Sequence, residues 1–315
     1  MFSRRRAFRT CFALLCAGVW TAVLGVAVGE AAAGVVSRAV SSLTARTMSG
    51  MLAGAGAGAG GGAAPRSAEA GDTRDSVVLR RIAVNRLLRV CIWPEYYGIS
   101  YRHPRDGRLS GIDVDLSAEL ARELGVQIRY VESSFPSLMA DLEEERCDVA
   151  MFAVAISPER KARLDFTQPY LASDIYGVTT RGNRTVRQWA DIDRRGVVVA
   201  VQAGTLVETV MRDSLKQARL LVVQPPTTRE AELSSGRADV FMADYPYSRR
   251  LLDNADWARV VAPEKPFHVL SYAYAVKRGD AAWLGRMNSF VTAIKHDGRL
   301  QAAAERHSLS RIVVP

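Results

Sequence analysis

Asp148-Val-Ala-Met-Phe-Ala-Val154 is an almost unbroken apolar run, the pattern of a β-strand covered on both faces of its sheet. Upstream of it, Phe135, Leu138, Met139 and Leu142 recur at i, i+3, i+4 and i+7, one face of a helix. Gln127 to Val131 reads as the strand before that helix. Asp113 to Leu124 again has helical spacing, with Leu116, Leu120, Ala121 and Leu124 on one face and Gly125 as the stop. Leu88-Arg-Val-Cys-Ile-Trp93 is a short β-rich run that Pro94 ends. The order is therefore β-α-β-α-β, which calls for a parallel sheet with right-handed crossovers.

The pattern restarts further along. Val197–Val201, Leu206–Leu215, Leu220–Val223, Arg229–Ser235, Asp239–Ala243 and Tyr247–Leu252 alternate strand and helix once more. Ile175–Thr180 and Val269–Lys277 are extended segments on either side of this second half, and Ala281–Lys295 and Arg299–His307 close the chain as helices. The reading is an α/β protein of two lobes joined by two extended crossovers, with residues 87–177 and 270–315 in lobe 1 and 178–269 in lobe 2. Such an arrangement implies a hinged cleft, with ligand contacts at the strand ends that face it.

What precedes residue 87 has a different character. Ser3-Arg-Arg-Arg-Ala-Phe8, an apolar run from Cys11 to Gly29, and Ala31-Ala-Ala33 read as an export signal over residues 1–33. An uncleaved anchor is the alternative, and the small residues after the run favour cleavage and a periplasmic location. Residues 34–86, with the Gly/Ala tract from Ala53 to Pro65, read as a low-complexity linker, although Val77 to Leu88 is apolar enough for a short helix. The net charge of +9 is concentrated here: six arginines face a lone Glu30 in residues 1–50. The remaining excess is spread thinly among acids, which argues against a nucleic-acid partner. Cys11 and Cys16 fall inside the signal. Cys91 and Cys147 remain, either a disulfide in an oxidising compartment or two small buried thiols. The scattered histidines have no metal-ligand spacing, and no metal or other cofactor is expected.

Four stretches carry a resemblance. Gly111-Ile-Asp-Val-Asp-Leu-Ser-Ala-Glu-Leu-Ala-Arg-Glu-Leu-Gly125 resembles the "G-F-D-V-D-L-A" helix of family 3 extracellular solute-binding proteins. Ala155-Ile-Ser-Pro-Glu-Arg160 followed by Leu164-Asp-Phe-Thr-Gln-Pro-Tyr170 is similar to that family's Arg signature, and Gly204-Thr-Leu-Val-Glu208 and Gly236-Arg-Ala-Asp-Val-Phe-Met-Ala-Asp244 to its second-lobe motifs. The resemblance covers about residues 87–307 and implies the type II periplasmic-binding-protein fold. It also implies a monomeric binding component that hands an amino acid or small carboxylate to an ABC-transporter permease. Arg160 would grip the ligand carboxylate with its two-point donor fork. Asp244 would accept the ligand amino group; Gly204, Thr205 and Leu206 would offer N–H groups at a helix start; Trp93 and Tyr96 would form an aromatic wall.

Each residue also has a plainer reading. Arg160 fits a surface charge cluster, Asp244 and Thr205 fit helix N-caps, and Trp93 and Tyr96 fit core packing. Where the family usually has hydroxyl residues before the Arg signature, this chain has Phe152, Ala153 and Ala155, which weakens the expectation of an α-amino ligand. The competing function is enzymatic: cyclohexadienyl dehydratases share these motifs, and Glu208 has the spacing of their catalytic glutamate, although binders carry an outward-pointing acid there too.

Overall fold

The computed structural model describes residues 76–315, so the signal and most of the linker expectation lie outside the described residues. The end of the expected linker is ordered: helix α1 (Val77–Asn85) buries Val78, Leu79 and Ile82. The Ser76 hydroxyl accepts from the Leu79 N–H as its N-cap.

The first lobe is built on strands β1 (Leu87–Ile92), β5 (Gln127–Glu132), β6 (Val149–Ala155), β7 (Leu164–Phe166), β8 (Leu171–Ser173) and β14 (Leu270–Lys277). Between β1 and β5 lie three very short strands, β2 (Glu95–Tyr96), β3 (Ser100–Arg102) and β4 (Leu109–Ser110), which form a separate antiparallel sheet. The main sheet runs in the order β5-β1-β6-β14-β7, with β8 also paired to β14. β1 is parallel to β5 and β6, as the β-α-β-α-β order demands. All seven residues of β6 are buried, in keeping with its apolar run. Helices α2 (Ile112–Leu124), α3 (Leu138–Glu143) and α4 (Pro158–Arg163) supply the connections, and α8 (Ala281–His296) and α9 (Arg299–Arg306) return to this lobe. Trp283 of α8, fully buried, donates its indole N–H to the Asp148 carbonyl.

The second lobe repeats the plan with β9 (Ile175–Thr180), β10 (Val198–Gln202), β11 (Arg219–Val223), β12 (Val240–Asp244) and β13 (Ala258–Val261), in the order β11-β10-β12-β9-β13. Its helices are α5 (Leu206–Ser214), α6 (Arg229–Ser234) and α7 (Tyr245–Asn254). The segments read as crossovers are themselves strands. β9 pairs antiparallel with β12 and β13, and β14 pairs antiparallel with β6, β7 and β8. An extended β-branched segment looks the same whether or not a neighbour claims its hydrogen bonds, so the expected boundary at 177/178 falls inside β9. The chain leaves the first sheet at Asp174 and returns to it through residues 262–269. Asp174 joins the two passages: its carboxylate accepts the N–H groups of Ile175, Phe267 and His268.

Cys91 and Cys147 are bonded, with their Cα atoms 5.5 Å apart, and tie β1 to the turn before β6. The bridge closes a loop across 56 residues of sequence. On the chain-entropy account, closing such a loop contributes about 4 kcal/mol.

Candidate functional site

A cavity lies where the strand ends of the two lobes face each other. The first lobe contributes Trp93, Tyr96, Phe135, Ala153, Ala155 and Arg160, and β14 adds Leu270 and Tyr272. The second lobe contributes Gln202, Thr205, Leu206, Val207, Arg229, Ala243, Asp244 and Tyr247. The cavity encloses about 40 Å³ of water-accessible space, room for a few waters at ~10–15 Å³ each.

Ser157 and Pro158 begin α4 and so place Arg160 in its first turn, where the Ser157 hydroxyl accepts the Arg160 backbone N–H. The guanidinium then points inward rather than to solvent. Nη1 donates to the Ala155 carbonyl at 2.7 Å and Nη2 to the Gly204 carbonyl of the other lobe at 2.8 Å. It also lies over the Phe135 ring at 5.5 Å. No carboxylate of the described residues comes within 4.0 Å of it. Burial pushes its pKa down to about 10. The surface-cluster reading of Arg160 therefore fails: this is a buried cation whose direct partners among the described residues are carbonyls and a ring.

Asp244 ends β12 and caps α7, accepting the Tyr247 N–H at 3.1 Å. The helix-cap reading is correct for one oxygen. The other accepts the hydroxyls of Tyr96 and Tyr272, both from the first lobe, the latter at 2.6 Å. Burial raises the Asp244 carboxyl above the usual carboxylate range, against the pull of these donors. Both tyrosine hydroxyls are pushed well up by burial and by the neighbouring carboxylate, so they are held as O–H donors.

Trp93, Tyr96 and Phe135 form the aromatic wall, with ring centroids 5.1–5.9 Å apart in tilted and edge-on geometry. Gly204 serves a different purpose from the one expected. At φ +72° a Cβ would stand 2.7 Å from the Pro136 nitrogen, so glycine permits the lobes to approach at this turn. Its N–H is taken by the Glu208 carboxylate at 2.8 Å, and that of Thr205 by the Gln202 carbonyl at 3.4 Å. Thr205 is an N-cap, accepting the Glu208 N–H. The donors next in line are the helix-start N–H groups of Leu206 and Val207, both of which line the cavity.

Three expected residues are outside the cavity lining, Gly204 among them. Phe152 does not line the cavity: it is fully buried and packs edge-on against Phe135, itself a lining residue, at 5.3 Å. Glu208 is also outside the lining residues, occupied by Gly204 and by an ion pair with Arg212 at 2.7 Å. Four important lining residues were not singled out in advance: Phe135, Arg229, Leu270 and Tyr272. Leu270 and Tyr272 are i, i+2 neighbours on β14, a spacing that puts both on one face. Arg229 follows the turn at the C-terminal end of β11, where α/β folds place ligand contacts.

The signature motifs meet behind the cavity floor. Ala153 adopts φ +48°, rare for a residue with a Cβ. Its N–H donates to Asp113 at 2.8 Å, and Asp113 also accepts the hydroxyls of Tyr170 at 2.6 Å and Tyr274 at 3.2 Å. Asp113 is fully buried, and burial raises its carboxyl to about 7. Between the ordinary carboxyl range near 4 and about 7, the native state keeps a proton that the unfolded chain releases. Stability contributed by this group is thus greatest below that window and falls as pH rises through it. Between pH 4 and pH 7.5, denaturant unfolding should show the wild type losing on the order of 4 kcal/mol more than Asp113→Asn; equal pH slopes in the two proteins would contradict this account.

The chain matches the family model described as bacterial extracellular solute-binding proteins, family 3, over residues 88–310. It is 32% identical over 219 residues to a cyclohexadienyl dehydratase of Pseudomonas aeruginosa, covering 69% of this chain and 80% of that protein. It is 28% identical over 232 residues to the L-cystine-binding protein TcyJ of Escherichia coli, covering 74% and 86% respectively. Among solved structures, the ancestral amino acid-binding protein AncCDT-1, described as a precursor of cyclohexadienyl dehydratase, superposes with a TM-score of 0.65 at 28% identity. That match covers 72% of this chain and 97% of the other.

Proposed function

This chain belongs to the bacterial extracellular solute-binding proteins of family 3, and from that premise we propose that it captures an amino acid or related small carboxylate between its lobes in the periplasm. It then delivers that ligand, as a monomer, to the permease of an ABC transporter. The observation that carries the proposal is Arg160, a buried guanidinium without a carboxylate partner among the described residues, in the same aromatic-lined cavity as Asp244. Arg160 takes the ligand carboxylate, with Leu206 and Val207 N–H groups adding to it; Asp244 takes the amino group, displacing tyrosine hydroxyls. The closed cavity is too small for an amino acid, so entry requires the lobes to part about the passages joined at Asp174. The loss of side-chain hydroxyls at Ala153 and Ala155 is offset by Tyr96 and Tyr272, which enclose the amino-group site instead.

A dehydratase is the second reading, favoured by the 32% identity to such an enzyme. A dehydratase needs a proton donor beside the leaving hydroxyl, and Glu208 is turned away from the cavity into a helix cap. Incubating the protein with prephenate should therefore yield no phenylpyruvate, while a bound amino acid at 100 times its dissociation constant should stabilise it by about 2.7 kcal/mol. Phenylpyruvate formation that Glu208→Gln abolishes would overturn the binding reading in favour of the enzyme.

A further inference from the structure

The capture of a simple amino acid leaves one cavity residue without a task. Arg229 stands at the start of α6, is 5% exposed, and lines the same cavity as Arg160 and Asp244. Its position is fixed from several sides. Nη1 donates to the Met242 carbonyl at 2.8 Å, and the guanidinium carbon lies 4.2 Å from the Tyr247 ring centre and 5.3 Å from that of Phe241. Stacking of this kind holds a planar guanidinium in one orientation while leaving its edge donors available. No carboxylate of the described residues lies within 4.0 Å of it. If packing were its only role, a neutral side chain of similar length would fill the space without burying a charge.

The charges of the cavity can then be counted. Arg160 and Arg229 bring two positive charges and Asp244 one negative, and the remaining polar lining side chains are neutral: hydroxyls, the Gln202 amide and the Trp93 indole; Glu230, which accepts the Tyr247 hydroxyl, lies outside the lining. A zwitterionic amino acid leaves that excess in place, and a cationic one adds to it. A ligand with two carboxylates and one ammonium balances it. We infer that the cleft selects an L-amino acid with a side-chain carboxylate, of aspartate or glutamate size. Arg160 holds one carboxylate, Asp244 the ammonium, and Arg229 the second carboxylate. The inference rests on the amino-acid-binding reading above. Because Arg160 belongs to the first lobe and Arg229 to the second, such a ligand joins the lobes through its two acids, and its charge contributes directly to closure.

The test is calorimetric titration of the protein, and of Arg229→Met and Arg229→Lys, with L-aspartate, L-glutamate, L-asparagine and L-glutamine. The wild type should bind an acid at least tenfold more tightly than the matching amide. Arg229→Met should bring acid and amide within about threefold of each other by weakening the acid, and Arg229→Lys should keep part of the preference. If Arg229→Met does not fold, the wild-type ratio and the lysine variant decide. An amide bound as tightly as its acid, or equal weakening of both by Arg229→Met, overturns the inference. Binding of L-arginine or a neutral amino acid with none of the four probes overturns it while leaving the proposed function intact. Failure of every L-amino acid to bind overturns the inference and the amino-acid form of the proposed function, and leaves a small carboxylate without an amino group as the ligand to test.

Discussion

Arg160→Ala is expected to weaken ligand binding by at least thirtyfold. Truncating one member of a buried, hydrogen-bonded charge pair costs roughly 2–5 kcal/mol, and each ~1.4 kcal/mol is a factor of ten in affinity. The guanidinium is buried against Phe135 and its pKa is pulled down to about 10 by that burial, so an anion bound there meets a poorly solvated cation. Its removal leaves the ligand carboxylate unpaired and withdraws the donor that the Gly204 carbonyl receives across the cleft. Arg160→Lys keeps the charge, but a single ammonium cannot serve the Ala155 carbonyl, the Gly204 carbonyl and a carboxylate in the same planar geometry. Its affinity should fall between the other two. Calorimetric dissociation constants check this, with thermal unfolding to establish that each variant is folded; an alanine variant with wild-type affinity would remove Arg160 from the site.

Asp244→Asn should separate binding from stability. Asparagine caps a helix about as well as aspartate, so the start of α7 is preserved, and its amide oxygen can still accept from Tyr96 and Tyr272. The carboxylate is held above its usual range by burial, so losing its charge relieves a cost instead of removing a favourable pairing. Unfolding free energy should therefore change by less than about 1 kcal/mol. Affinity should fall by tenfold or more, because an ammonium loses its one carboxylate partner in the cavity. Denaturant unfolding and calorimetry on the same preparation report the two quantities, and a large loss of stability with unchanged affinity would make Asp244 a cap and nothing more.

The main architecture was readable because periodicity is local. The apolar run of β6, the i, i+4 spacing of Leu138 and Leu142, and the glycine stop at Gly125 each report their own element, whereas Phe135, read onto the same helix face, lies in the turn before α3. The strands β2, β3 and β4 have two or three residues each, too few for a period to show. The pairing of β9 and β14 depends on neighbours far along the chain, so both read as crossovers. In the site, Arg160 and Asp244 came from ordered motifs and Trp93 and Tyr96 from the aromatic wall the resemblance implies, and the structure brings all four to one cavity. Phe152 matched a position where the family has a hydroxyl residue, but its ring packs against Phe135 and does not line the cavity. Arg229 had no motif to mark it. Its importance arises from what surrounds it: two ring faces, one carbonyl and an unbalanced cavity charge.

In the proposed binding mode, Asp244 reads the amino group of a ligand whose carboxylate Arg160 holds. Four titrations test it most directly: wild type and Asp244→Asn, each with the preferred L-amino acid and with its counterpart lacking the amino group. Loss of the amino group should cost the wild type at least tenfold in affinity and the variant less than about threefold, because the two changes remove the same interaction. Equal losses in both proteins would mean that the amino group is bound elsewhere, and the central pair would be wrong.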